Sequence, residues 1–402
     1  MSTSDDSHSG TMTPACPRVL VIAPQPFYED RGTPIAVMHL LEALVELNFE
    51  VDLATFPVGS PFELSGVSTY RANNPFRIQQ VPIGLSLSKV LLDLSMIRLI
   101  RERLMNQEYL SIHAVEEAAF LAVILGKKGS STLVYDMQSS LPEQLTKHLV
   151  FRPRLIQYGL RLVERWLLRR VDSVACSVGL SRYVSSVCPA VPVREWHFPS
   201  INPEADFGEV QALRKELEIA DSAKVVLYSG TFEEYQGIFM FLEAMTRIAE
   251  EVPECVFILV GARSDSEIEA TKDRLDPALK DRVRVVLRQP REIIPLYLDL
   301  ADLLVSPRIH GRNLPLKIFD YLAAGKPIVA TALPTHEKIL NESRAVLVYP
   351  SAARLALETV RLLRDPKRMQ ELADEASTYA EERLSWMSYV KTVSEIHGQT
   401  DD

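Results

Sequence analysis

Short apolar runs alternate with amphipathic segments along most of this chain. The run Val19 to Ala23 is continuously apolar, as in a buried parallel strand. After a loop, a helix is predicted from about Pro34 to Leu47, because one face of that segment would carry Val37, Leu40, Leu41 and Leu44. Glu50 to Thr55 is the next predicted strand. This strand–helix–strand order predicts a nucleotide-binding type of parallel α/β unit.

The same alternation continues almost to the end of the sequence. Further strands are predicted at 109–114, 132–136, 172–178, 193–198, 224–230, 256–261, 283–287, 301–305 and 328–330. A chain of 402 residues is too long for a single core, so two domains are expected. We place them at 17–200 and 223–380, joined by a linker at 201–222. A disordered polar tail at 1–16 and a crossover helix and tail at 381–402 complete the chain.

The most informative stretch runs from Ser306 to Thr331. A polar loop, Arg308 to Asn313, follows the strand at 301–305. A helix with one apolar stripe comes next, and Gly325 ends it. The loop therefore lies at the carboxyl end of a strand and before a helix, which is where open α/β sheets bind ligands and where anions are favoured.

Three charged residues around this loop suggest what it binds. Arg308 and Lys317 are positive, and Asp320 follows one turn into the helix. Two cations suit a diphosphate, and a carboxylate could accept two ribose hydroxyls, so a phosphorylated ribose is the predicted ligand. The alternative is an ordinary surface ion-pair cluster, which would contribute little.

The segment Pro315 to Thr331 resembles the donor-site signature of family 4 glycosyltransferases, also called glycosyl transferases group 1. These are retaining, metal-independent enzymes of the GT-B fold. The resemblance implies two Rossmann-like parallel-sheet domains facing across a cleft, with a C-terminal helix that crosses back to the first domain. In the family a second glutamate holds the ribose, and Asp320 falls on it. A first glutamate touches the donor sugar, and His310 falls there instead.

The resemblance also assigns roles to other donor-side positions. Gly32, in the first loop, would lie against the donor phosphates, although it could equally serve only a turn. The second domain has Gly230-Thr231 and Gln236-Gly237 where the family usually has an arginine and a lysine on the diphosphate. Our hypothesis is that Arg308 and Lys317 supply that charge. Asn313 and Glu337 complete the predicted donor site, and Glu337 is expected in a helix opened by Thr335.

On the acceptor side, the candidate residue is His113. It is predicted at the end of a strand beside Asp136, at one edge of the first sheet. A histidine near the acceptor is common in the family, whereas a lone strand-end histidine is more often structural.

Composition restricts the alternatives. The chain is 47% hydrophobic and 24% charged, as in ordinary globular proteins. Its four cysteines lack metal-binding spacing, and no apolar run reaches the roughly 20 residues of a membrane span, so a cytoplasmic location is expected. Residues 1–200 hold 19 basic and 19 acidic side chains, so the net charge of −9 arises in the second half. That excess of acid argues against a nucleic-acid partner.

Residues 147–170 form an unusually basic segment with interleaved apolar residues. It contains seven Lys or Arg against one acid, Glu164, and it includes Trp166. A basic amphipathic helix with tryptophan is typical of membrane surfaces. We therefore expect the protein to be peripheral on the inner face of the membrane. The alternative is a core helix with a solvated charged face.

The sequence as a whole predicts a glycosyltransferase of polysaccharide biosynthesis. It would move a sugar from a nucleotide-diphosphate sugar to a glycan, lipid-linked or small-molecule acceptor, without a metal or cofactor. Arg308, Lys317 and His113 are the predicted catalytic residues. Two other functions stay open: a nucleotide-sugar 2-epimerase, and a non-catalytic GT-B scaffold subunit.

Overall fold

A computed structural model describes residues 16–29, 32–79, 81, 87–127, 129–145, 153–200, 206–310 and 315–398. These residues form two units. The first comprises those within Met1–Cys176, Val184–Arg194 and Val393–Asp402, and the second those within Ser177–Tyr183 and Glu195–Thr392. Except for Cys16, the predicted tail at 1–16 lies outside the described residues, and so does Asn313.

The first unit is built on a seven-stranded sheet with the order β3-β2-β1-β4-β5-β6-β7. Neighbouring strands from β3 to β6 are parallel. The strands are β1 Arg18–Ala23, β2 Glu50–Thr55, β3 Val67–Arg71, β4 Ser111–Val115, β5 Thr132–Met137, β6 Ser173–Cys176 and β7 Val193–Glu195. Their side chains are almost fully buried in the central strands, which explains the continuous apolar runs in the sequence.

Helices connect most of these parallel strands, whereas β2 and β3 are joined by the helix-free segment 56–66. The helices are α1 Gly32–Glu46, α2 Leu87–Asn106, α3 Ala118–Leu125, α4 Leu141–Leu145, α5 Arg154–Leu168 and α6 Val178–Val187. The apolar face predicted for α1 is confirmed, since Val37, Leu40, Leu41 and Leu44 are all buried.

The second unit is built on a six-stranded parallel sheet with the order β10-β9-β8-β11-β12-β13. The strands are β8 Lys224–Ser229, β9 Cys255–Ala262, β10 Val283–Leu287, β11 Leu303–Ser306, β12 Ile328–Thr331 and β13 Val346–Val348. Strand order reverses between β8 and β11. Such a switch point leaves a crevice beyond the carboxyl ends of the strands.

The helices after β7 are α7 Phe207–Glu216, α8 Ile238–Glu251, α9 Asp265–Lys272, α10 Ile294–Leu300, α11 Lys317–Ala323, α12 Ala352–Leu363, α13 Pro366–Arg383 and α14 Trp386–His397. Helix α7 lies inside the predicted linker range and was not foreseen. Val210 and Leu213 on this helix pack into an apolar cluster of the second unit.

Two Rossmann-like parallel-sheet units confirm the predicted fold class. The last turn of α14 belongs to the first unit, where His397 contacts Ser111 and His113 on β4. None of the helices in the described ranges combines the length and the apolar character needed to cross a bilayer.

Candidate functional site

The predicted donor residues gather where β8 and β11 end side by side. Tyr321 on α11 holds these two strand ends together. Its hydroxyl accepts a hydrogen bond from Ser229 N at 2.8 Å and donates one to Val305 O at 3.5 Å. The ring is fully buried, and this burial raises the pKa of the phenol, so the hydroxyl stays protonated. The two loops beyond these strands therefore start from fixed positions.

The loop after β8 and the loop after β11 are packed against each other. Gly237 has φ +75°, and a Cβ on it would lie 1.9 Å from Pro307 O, so only glycine fits. Ile309 N also donates a hydrogen bond of 3.0 Å to Tyr235 O. The loops 230–237 and 307–310 thus form one wall of the crevice. This close approach gives a structural reason for the glycine that the sequence singled out.

Lys317 is the central residue of the site. Its Nζ is buried, lies 4.0 Å from the centre of the Tyr228 ring, and has no hydrogen-bond partner among the residues described. A Cβ on Gly230 would come within 3.1 Å of it. Burial, followed by the charge of Arg308, holds the pKa of this lysine well below its usual value. A buried amine that contacts only an aromatic ring among the described residues becomes a strong attractor for an anion once it is protonated.

Arg308 provides the second cation. It is 6% exposed, its Nε donates to His310 O at 2.9 Å, and its guanidinium lies 5.3 Å from the centre of the Tyr235 ring. Thr331 Oγ1 donates to the backbone oxygen of Arg308 and fixes the start of the loop. Burial lowers the pKa of Arg308. The structure therefore brings together the two cations that the sequence analysis paired.

His336 lies close to both cations, and sequence reasoning assigned it no role. Its Nδ1 lies 2.7 Å from Thr331 O and its Nε2 lies 3.1 Å from Ser306 Oγ. Burial lowers the pKa of His336 to about 4, and the charges of Lys317 and Arg308 add to this effect. The ring is neutral at pH 7 and supports the ends of β11 and β12.

One local prediction about this region is wrong. Residues 334–339 form hydrogen-bonded turns rather than the helix expected to open at Thr335. Glu337 is exposed in these turns, whereas the adjacent His336 is completely buried. The buried side chains of His336, Ile339 and Leu340 hold this segment in turns.

The remaining donor-side candidates are distributed as follows. Asp320 is half-buried on α11, one turn beyond the start of that helix, and Thr231 follows Gly230 in the β8 loop. Tyr228 Oη donates to Thr231 O at 2.7 Å. Gln236, where the family usually has lysine, is 9% exposed, and its Oε1 has no partner in the described part of the chain. Gly32 is the first residue of α1 in the first unit.

His113 differs from its predicted placement. It lies in the middle of β4, not at the end of a strand, and it is fully buried. Its Nδ1 lies 3.3 Å from His397 Nε2, and its Nε2 lies 3.6 Å from Asp136 Oδ2. A contact of His113 with an acceptor stays a prediction. His397 was not foreseen, because sequence spacing gives no sign that residue 397 meets residue 113.

The family model of glycosyl transferases group 1 matches residues 223–365, which contain every donor-side candidate except Gly32. Residues 223–365 belong to the glycosyl transferases group 1 family. Within this group 1 segment, the loops at Gly230 and Arg308 and helix α11 carry the cations and carboxylate described above.

Known proteins similar to this chain include the phosphatidyl-myo-inositol mannosyltransferase of Mycobacterium leprae, 22% identical over 43% of this chain and 46% of that protein. Sucrose-phosphate synthase from Thermosynechococcus elongatus has a similar structure, with TM-score 0.74 and 20% identity over 95% of this chain and 98% of that one. HepE of Anabaena, solved with UDP-glucose, aligns with TM-score 0.68 and 17% identity over 94% of this chain and 98% of that chain. The chain spans about half the length of the curated relatives it matches.

Proposed function

We propose that this group 1 protein transfers a sugar from a nucleotide-diphosphate sugar to an acceptor, with the donor bound in the second unit. One observation carries the proposal: the buried Nζ of Lys317, which has no hydrogen-bond partner in the described part of the chain, lies at the switch point of the second sheet. A diphosphate would supply the negatively charged partner that Lys317 lacks among the described residues. The family match of the same residues supports the chemistry.

The two cations would act mainly on the leaving group. When the bond between the sugar C1 and the diphosphate oxygen breaks, negative charge grows on that oxygen and remains on the departing nucleoside diphosphate. Lys317 and Arg308 lie in a water-poor site, where such charge is stabilised more strongly than in water. On this proposal they replace the arginine and lysine that are missing at Thr231 and Gln236, and no metal is needed.

Asp320 would orient the nucleoside by accepting hydrogen bonds from the ribose hydroxyls. It lies one turn along α11 from Lys317, so the two side chains fall on neighbouring positions of the helix surface. Gly230 lets its loop approach Lys317 closely, and Asn313, Glu337 and Gly32 remain proposed contacts. We also propose retention of anomeric configuration, on the resemblance to the family. The acceptor would be a glycan, a lipid-linked molecule or a small molecule.

Titration calorimetry with nucleotides tests the donor proposal. UDP is the first probe because HepE was solved with UDP-glucose, and GDP, ADP and uridine follow. Binding of at least one diphosphate, absence of binding by its nucleoside, and loss of binding in K317M would support the proposal. K326M is the matched control. Lys326 lies just after the end of α11, and its Nζ is 3.6 Å from Asp299 Oδ1, away from the proposed donor site. Equal affinities of K317M and the wild type would refute it.

Acceptor dependence separates sugar transfer from its alternatives. With a bound UDP-sugar, release of UDP only when an acceptor extract is added indicates transfer, and conversion of the UDP-sugar to its C2 epimer without acceptor and without net release of UDP indicates a 2-epimerase. Donor binding with neither release nor epimerisation would indicate a non-catalytic scaffold, which the histidine at position 310 would suit.

A further inference from the structure

Helix α5 turns its apolar side away from the protein. Leu155 is 82% exposed, Tyr158 61%, Leu162 49% and Trp166 38%. Positions i, i+3, i+7 and i+11 fall on one side of an α-helix, so these four residues form a continuous outward stripe. On the other side of the helix, Glu164, Leu167 and Leu168 are buried. An apolar stripe of this kind on a soluble protein marks an interaction surface.

The charges of α5 are arranged around this stripe. Arg154, Arg161 and Arg165 are exposed, and helical spacing places all three along one edge of it. In the described ranges, no carboxylate pairs with any of them. The single acid of the helix, Glu164, points inward and accepts a hydrogen bond of 2.7 Å from Leu141 N. The outward side of α5 is therefore apolar and cationic, with no negative charge.

We propose that the outward side of α5 docks on an anionic lipid bilayer, with the helix lying in the plane of the interface. A row of arginines that no described carboxylate pairs, beside leucine, tyrosine and tryptophan, matches both layers of such a surface, since anionic headgroups meet the arginines and acyl chains meet the stripe. Charge complementarity selects the bilayer over a second copy of this chain. Two copies packed antiparallel through the stripe would place both arginine rows on the same side.

This inference does not depend on the donor site. It concerns residues of the first unit, whereas Lys317 and Arg308 belong to the second. Vesicle binding and nucleotide binding are separate measurements, so either proposal can fail without the other. If both hold, a lipid-linked acceptor becomes the substrate class to test first.

Flotation with vesicles of phosphatidylglycerol and phosphatidylcholine tests the proposal. The full-length protein should float with vesicles rich in phosphatidylglycerol and stay behind with pure phosphatidylcholine. R161Q/R165Q should weaken binding about 25-fold, since each cation near an anionic leaflet is worth about a factor of five. L162S/W166S should weaken it about 100-fold or more. Matched controls are M387S, 81% exposed on α14, and R361Q on α12, which should bind like the wild type.

Quenching by brominated lipids then locates the contact. Wild-type fluorescence should be quenched by brominated vesicles, and the quenching should disappear in W166F but persist in W386F. W166F keeps an aromatic ring in the stripe, and its flotation with the same vesicles shows that loss of quenching does not reflect loss of binding or folding.

Three results would overturn the proposal. One is failure of the wild type to float with anionic vesicles, and another is unchanged flotation of both double variants. The third is a dimer in sedimentation equilibrium that L162S/W166S dissociates, because the stripe would then serve a second copy.

Discussion

His397 Nε2 lies 3.3 Å from His113 Nδ1 in the interior of the first unit. The pair is enclosed, with His113 fully buried and His397 3% exposed. On its other side, His397 Nδ1 lies 2.6 Å from Ser111 Oγ, while His113 Nε2 lies 3.6 Å from Asp136 Oδ2. Two nitrogens this close can share only one proton, so at least one ring must be neutral. The last turn of α14 is thus attached to β4 through a neutral histidine.

Acid should therefore release the C-terminal turn. Burial, followed by the charge of His113, holds the pKa of His397 well below its usual value. Below about pH 6.5 the unfolded chain takes up a proton that the folded state resists, so stability is complete above that pH and falls as the pH drops towards the folded pKa. The protection factors of residues 390–397 against amide hydrogen exchange, corrected for the slower intrinsic exchange in acid, should fall selectively between pH 7 and pH 5.

H397F removes this titrating group and keeps a ring in place. We expect it to be less stable at neutral pH, because Ser111 and His113 lose a partner, and to show a flatter pH dependence of exchange. H39Q, at a half-buried histidine beside Glu42, should leave the profile unchanged. An unaltered profile in H397F would show that another group controls the attachment.

Replacing Lys317 should stabilise the empty protein. A folded pKa below the usual lysine value means that protonation opposes folding at neutral pH. K317M should therefore raise the free energy of unfolding by about 1–3 kcal/mol while abolishing nucleotide binding. Differential scanning calorimetry of K317M and of K326M without ligand measures this. A lower melting temperature in K317M would mean that Lys317 has a structural partner.

Donor binding should be coupled to proton uptake. A diphosphate beside Lys317 raises its pKa from the depressed value of the empty site, so a proton is taken up whenever the pH lies between the two values. Calorimetric titrations at pH 8 in buffers of different ionisation enthalpy should show net proton uptake with UDP. K317M should show no proton uptake with UDP. A buffer-independent enthalpy in the wild type would contradict the coupling.

Asp320 should distinguish nucleotides from bare diphosphate. If its carboxylate holds the ribose, D320N should weaken UDP binding by about 10- to 100-fold, the cost of losing charged hydrogen bonds. Affinity for inorganic pyrophosphate should stay unchanged, since pyrophosphate has no ribose. Competition titrations of both ligands give this comparison. Equal weakening of the two would place Asp320 at the phosphates or in the scaffold.

Gly237 should tolerate no side chain. In G237A the new Cβ would collide with Pro307 O, so the paired loops must separate, and we expect lost donor affinity as well as reduced stability. G325A is the matched control: Gly325 also has positive φ, +57°, but its Cβ would meet Ser377 at an ordinary 3.6 Å. G325A should lower the free energy of unfolding by about 1–2 kcal/mol and leave UDP binding intact. Similar affinities of the two variants would remove the collision argument.

Local patterns predicted the fold and part of the site. Buried strands such as β1 and β8 are visible as apolar runs, and the order of strands and helices fixes the class of sheet. Lys317 and Arg308 were found because each is close in sequence to the loop that it serves. Tyr321 was overlooked because its partner Ser229 lies 92 positions away, and His336 because its partner Ser306 lies 30 positions away. His397 lies 284 positions from His113, and no spacing rule could connect them.

Helix α5 shows a different limit. Its alternation of basic and apolar residues predicted an amphipathic helix, but periodicity cannot tell which side is buried. The structure buries the side of Glu164 and exposes that of Trp166. The usual expectation, apolar side inward, would have given the opposite orientation.

The unpaired Lys317 also has a consequence for the protein in the cell. An empty site that disfavours the folded state increases the fraction of molecules open to proteases, and a bound nucleotide reverses this. We expect the lifetime of the protein to follow the supply of its donor, with shorter half-lives in cells starved of nucleotide sugars. K317M would escape this control and persist as an inactive, long-lived species.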